Sequence, residues 1–309
     1  MRRSRDAAAA ARPSATRKPV APPGATGLRT GAIKVGPRSA VVLVLASVAG
    51  LMMFLWPLLT KVEPAPMQHA SDAPFIFVVI LPVLVMVVLA ELSEGGLDSK
   101  ALAILGVLSA VNAALRPTLG AGTAGIESVF FLLVLAGRVF GPGFGFLLGC
   151  TSLFASALLT AGVGPWLPFQ MICSAWIGLG AGLLPRRIRG KGEIAMLVAY
   201  GIFVAYAFGF LMNLWFWPFI THAEVPYHDG GISYIAGAPV LDNLHRFAVF
   251  TLLTSTGGWD TGRAITNTVA ILLLGPAVLA TLRRTAHRAS FGVKGTFGPR
   301  PREAHHRTE

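Results

Sequence analysis

Residues 101–116 read Ala101-Leu-Ala-Ile-Leu-Gly-Val-Leu-Ser-Ala-Val-Asn-Ala-Ala-Leu-Arg116, and Pro117 follows. The run is apolar or small until Arg116 ends it. A helix needs about 20 apolar residues to cross a hydrocarbon layer. Extended back to Lys100, this stretch reads as a short membrane span stopped by Arg116-Pro117. Seven other stretches share its character. Two lie upstream, at about 39–60 and 73–92, the second with Pro82 as a kink. Five lie downstream, at about 126–139, 146–161, 166–184, 194–220 and 263–282. The fold class that follows is all-α, a polytopic membrane helix bundle of eight spans.

Charge supports the same reading. The chain has 309 residues, 54% hydrophobic and 13% charged, where a soluble protein carries about 25% charged residues. Its net charge of +12 would suit a nucleic-acid partner, but the distribution excludes that. Basic residues crowd the 38 positions before the first span, the segment after the last, and the loop holding Arg186, Arg187, Arg189 and Lys191. With eight spans, 22 of the 26 Lys and Arg residues fall on one side, leaving Lys61, Arg116, Arg246 and Arg263 opposite. Cytoplasmic loops carry the positive excess. Both termini are therefore expected in the cytoplasm, with the chain a multi-pass protein of the plasma membrane.

The first 38 residues, rich in Ala, Pro and Arg, read as a disordered basic tail. No small-residue cleavage site precedes the first span, so they do not read as a signal peptide. Residues 39–98 hold the first two spans, 99–284 the other six, and 285–309 a second basic tail. Residues 118–125 form a Gly-rich outer loop, and 221–262 a long polar outer segment. Cys150 and Cys173 lie inside apolar spans and read as packing residues. Gly190-Lys-Gly192 lacks the frame of a phosphate-binding loop, and no zinc-protease or nucleophile-elbow motif occurs. The chain therefore carries no nucleotide-hydrolysing motif of its own.

From about residue 99 the chain resembles the substrate-binding S component of energy-coupling factor (ECF) transporters. Three segments carry the resemblance: 101–116, dense in small residues; Gly137-Arg-Val-Phe-Gly-Pro-Gly-Phe-Gly-Phe-Leu-Leu-Gly149; and the closing Leu274-Gly-Pro-Ala-Val-Leu-Ala-Thr-Leu-Arg-Arg284. The resemblance implies a six-span core that captures a vitamin or related micronutrient. It also implies a membrane coupling subunit and two ABC ATPases as partners, with no enzymatic activity and no cofactor. The two N-terminal spans depart from the family pattern.

Gly106, Ala110 and Ala114 recur every four residues on one face of the 101–116 span, with Ser109 and Ala113 beside them. Small residues let another helix approach closely, and in the family this helix meets the coupling subunit. Polar groups at membrane depth are costly and usually face a partner or a watery site. On that ground Asn112, Arg116, Glu127, Gln170 and Asn213 are substrate-binding candidates. Asp260, Arg263 and Asn267, at i, i+3 and i+7, share a helical face, with Trp259 beside them. The polar run 254–263 is expected to be flexible and to help close the outer site. His222, His228 and His245, with Asp229 and Asp242, share the long outer segment but match no metal-site spacing, so no metal is expected. The segment's length and histidines favour a large ligand, cobalamin first, with riboflavin, thiamin precursors, biotin and folate open.

Two rival readings stand beside this one. A secondary transporter needs no ATPase and places a charge at mid-membrane, whereas these charges lie at span ends. An integral-membrane enzyme or assembly protein converges acids and histidines at one face, which only the outer segment could supply.

Overall fold

The computed structural model describes residues 37–59, 99–118, 126–220, 231–235 and 237–289. The expected span at 73–92, the Gly-rich loop beyond Thr118, His222, His228, Asp229 and most of both tails lie outside the described residues. All the regular structure described is helical. Helix α1 covers Pro37–Phe54 and the short α2 Trp56–Leu59. Then come α3 (Ser99–Thr118), α4 (Val129–Phe140), α5 (Pro142–Leu159), α6 (Leu167–Leu183) and α7 (Lys191–Ile220). Helix α8 (Val240–Thr251) runs through a π-helical segment (Leu252–Asp260) into α9 (Thr261–Ala289). The protein is an all-α membrane helix bundle. Among the described residues, four helical stretches are long and apolar enough to cross a membrane: Ser99–Pro117, Pro142–Leu159, Lys191–Phe219 and Val240–Ala289.

The last of these corrects the sequence reading. Residues 221–262 were expected to be a polar outer segment, yet helix begins at Val240. Pro239 occupies the N-cap position, and Asn243, Phe247 and Phe250 then bury one face at helical spacing. The same helix continues to Ala289, five residues into the expected C-terminal tail. At the opposite end of the bundle, Pro117 does not stop α3, which reaches Thr118.

The centre is a three-helix slab of α4, α5 and α6. Between α4 and α5 the chain reverses at Gly141, whose φ of 95° suits glycine because a Cβ would clash there. Pro142 opens α5, where its missing N–H costs nothing. The α5–α6 seam is made of backbone. A Cβ on Gly145 would run into the Gly178 carbonyl, and one on Gly178 into that of Gly145; Gly149 likewise abuts Ser174. Without a hydrophobic drive between helices in lipid, such close approach supplies the cohesion.

Helix α3 packs on α5. Ser109 Oγ and Thr151 Oγ1 are 2.7 Å apart, and Asn112 Nδ2 donates to Ser152 Oγ at 3.0 Å. Helix α1 lies on α6, where Trp176 Nε1 donates to Ser47 Oγ at 2.9 Å and Phe54 meets Phe169 edge-on at 5.0 Å. Leu55 and Leu58 then reach a second apolar cluster of Leu214, Trp217, Tyr234, Phe247 and Phe250.

Candidate functional site

Charged groups gather in two layers along α7. One centres on Glu193, the other on Asp260, which faces Gly209. Sixteen residues separate positions 193 and 209, about 24 Å of helix. That is close to the hydrocarbon thickness of about 30 Å, so the charges flank an apolar layer.

In the first layer Arg138 is nearly buried. It donates through Nε to Glu193 Oε1 at 2.7 Å, through Nη1 to the Leu184 carbonyl at 2.9 Å and through Nη2 to that of Ile188 at 3.0 Å. Arg283 Nη2 donates to both Glu193 oxygens at 2.7 Å. The cluster ties α4, the α6–α7 loop, α7 and α9 together. Because it joins four elements around the buried Glu193 carboxylate, it reads as a structural clamp.

The second layer brings together residues from five parts of the chain. Arg116, near the end of α3, donates through Nη2 to Gln170 Oε1 of α6 at 3.3 Å. Its Nε lies 3.4 Å from Glu127 Oε1, just ahead of α4. The other Glu127 oxygen accepts from Arg263 Nε at 2.9 Å. Arg263 Nη1 donates to Asp260 Oδ1 at 2.9 Å, and Ser255 Oγ donates to Asp260 Oδ2 at 2.9 Å. The result is a continuous chain, Gln170–Arg116–Glu127–Arg263–Asp260–Ser255. It alternates in sign and contains two cations and two anions. Asp260 is 1% exposed, so its charge is sustained by these partners.

Two packing features hold the chain in place. Gly209 of α7 lies directly against the Asp260 carboxylate, and any Cβ there would collide with it. The Arg263 guanidinium sits over the Phe208 ring at 4.9 Å and near Phe130 at 5.9 Å. Both distances are within cation–π range.

Against this chain lies a cavity of about 350 Å³, lined by Phe208, Gly209, Met212, Asn213, Phe250, Thr254, Ser255, Trp259 and Arg263. Its wall includes the π-helical segment, where the sequence reading expected a flexible run. Local π geometry is frequent at functional sites. A cavity this size is at the low end for small-molecule pockets. His245 and Asp242 are on α8, and among the described residues no cluster of His, Cys, Asp or Glu could hold a metal ion.

The nine candidate substrate residues thus divide. Arg116, Glu127, Gln170, Asp260 and Arg263 form the charged chain. Asn213, Trp259 and Arg263 line the cavity. Asn267 is fully buried and donates from Nδ2 to the Arg263 carbonyl at 2.8 Å, and its Oδ1 finds no partner among the described residues. Asn112 is equally buried but bonds across to α5, away from both chain and cavity. Phe208, Gly209, Met212 and Phe250 were not anticipated, whereas Thr254 and Ser255 belong to the polar run 254–263 expected at the outer site. The small-residue set also divides. Gly106, Ala110 and Ala114 are exposed on the outer face of α3, whereas Ser109 and Ala113 are buried in the bundle. Ser109 and Ala113 therefore pack against the chain's own helices, which corrects their placement at a partner interface.

A family model described as the ECF transporter, substrate-specific component, matches residues 100–279. No curated protein and no solved structure matches the chain.

Proposed function

We propose, from the premise that this chain belongs to the substrate-specific components of ECF transporters, that its second charged layer and adjoining cavity are the substrate site. Membership makes the chain a membrane-embedded, substrate-specific part of a transporter. The finer reading is capture of a vitamin-like micronutrient from outside the cell, followed by delivery through a membrane coupling subunit and two ABC ATPases. The observation that carries it is the chain from Gln170 to Ser255. Residues far apart in sequence converge there on one end of the bundle, beside a cavity of ligand size. In this reading the Arg116 end faces outside. The Arg138 end, next to the exposed Arg186, Arg187 and Arg189, faces the cytoplasm.

The coupling subunit would dock on the exposed face of α3 at Gly106, Ala110 and Ala114, where no described helix of this chain covers the small residues. Helix α1 lies elsewhere, against α6 and α7. Residues 99–284 would then act as the S-component core, with 39–98 as an addition on its flank.

The test is co-expression with the coupling subunit and ATPases of an ECF transporter. A stable complex that takes up a micronutrient only with ATP supports the proposal. Uptake by the chain alone in vesicles, with no complex formed, would favour a secondary transporter.

A further inference from the structure

The polar lining of the cavity carries information on ligand chemistry. Arg263 uses Nε for Glu127 and Nη1 for Asp260. Its Nη2 has no hydrogen-bond partner among the described residues and remains a donor. Ser255 gives its hydroxyl hydrogen to Asp260 Oδ2, and Thr254 gives its own to the Phe250 carbonyl. Both oxygens therefore meet a ligand as acceptors. Asn213, whose buried Nδ2 has no partner among the described residues, adds a second donor, and Phe208, Phe250, Met212 and Trp259 supply the apolar and aromatic part of the wall.

Charge narrows the choice further. Arg116 and Arg263 balance Glu127 and Asp260, so the site is neutral before anything binds. Arg263 already touches two carboxylates. A third from the ligand would leave the site with an uncompensated negative charge away from water, and an ammonium would leave a positive one. Either is costly. A neutral acceptor on Arg263 Nη2 incurs neither penalty.

The geometry points to a substrate class: an uncharged flat ring bearing a carbonyl beside a ring N–H, as in a cyclic amide, imide or ureide. The inference rests on the reading of this cavity as the substrate site. The carbonyl accepts from Arg263 Nη2, and the ring N–H donates to Ser255 or Thr254 Oγ. The ring face lies against the aromatic wall of Phe208, Phe250 and Trp259. About 350 Å³ suits a body of one or two rings.

Three probes of similar size separate the possibilities: quinazoline-2,4-dione (neutral, with adjacent carbonyl and N–H), quinoline-2-carboxylate (anion) and tryptamine (cation). Binding to the purified full chain in micelles is followed by thermal stabilisation. The dione is expected to bind at least about tenfold more tightly than either charged probe, a difference of about 1.4 kcal/mol. Glu127→Gln removes one negative charge and should improve carboxylate binding relative to the dione by a similar factor. The wild-type ranking needs no variant to fold. A carboxylate or amine that outranks the dione overturns the inference. So does an unchanged ratio of carboxylate to dione affinity in folded Glu127→Gln, or binding of none of the three in the millimolar range. Assembly with the coupling subunit and ATPases is measured on the same preparation. Assembly without dione binding refutes the ligand class and spares the transporter reading. Dione binding without assembly does the reverse.

Discussion

Substituting Gly209 by alanine tests the second charged layer without touching a charge. The new Cβ would collide with the Asp260 carboxylate, so Asp260 must leave its position. It would then lose the bonds from Arg263 Nη1 and Ser255 Oγ, each 2.9 Å long. Hydrogen bonds to charged groups contribute about 1.5–3 kcal/mol each, and breaking a buried ion pair costs about 3–5 kcal/mol. Arg263 keeps Glu127, so the lower end applies, and Gly209→Ala should cost about 3 kcal/mol. Asp260→Ala should cost about as much. In the double variant the clash is gone, and alanine even favours helix over glycine by about 1 kcal/mol. The double variant should therefore be no less stable than Asp260→Ala alone, giving a coupling of about 3 kcal/mol. Reversible unfolding in mixed micelles, followed by tryptophan fluorescence, measures all three. Costs that simply add, within about 0.5 kcal/mol, would show that Gly209 and Asp260 do not share a contact, and the geometry of the chain would be wrong.

Glu193→Ala should destabilise the chain by about 3–5 kcal/mol in the same assay, because it strands the nearly buried Arg138; a change under about 1 kcal/mol would deny that cluster a structural role. Gly106→Leu or Ala110→Leu should leave ligand binding intact but abolish co-purification with the coupling subunit, and normal assembly in both variants would exclude that face of α3 as the docking surface. A cysteine at His228 should react with an impermeant thiol reagent from outside while one at Arg187 does not, and the reverse pattern would invert the proposed orientation.

The sequence reveals its helices where the pattern is apolar and long, as at 194–220, because lipid demands such runs. It hides α8 and the π-helical segment because Thr254-Ser-Thr-Gly-Gly258 has the composition of a loop, and packing against α7 overrides that propensity. The spacing of Asn243, Phe247 and Phe250 after Pro239 was the available signal. Asp260 and Arg263 are legible as a pair because they are three residues apart. Their connection to Glu127 spans 136 residues and has no local signature. Nor does Gly209, one of 35 glycines, whose role depends on what another helix places opposite it. Ser109 and Ala113 illustrate the same limit. A small residue looks alike in sequence whether a partner or the chain's own α5 covers it.

The backbone seam between α5 and α6 also has a thermal consequence. Glycine has no rotamers to lose, so closing the seam at Gly145, Gly149 and Gly178 involves little side-chain entropy. Because its surroundings are lipid, it releases no ordered water either. Burial driven by water weakens on cooling, with a large heat-capacity change as its mark. Contact between bare backbones lacks that dependence. The slab of α4, α5 and α6 should keep its cohesion in the cold, while any temperature sensitivity concentrates where the chain meets water, at the polar end around Arg116 and Glu127.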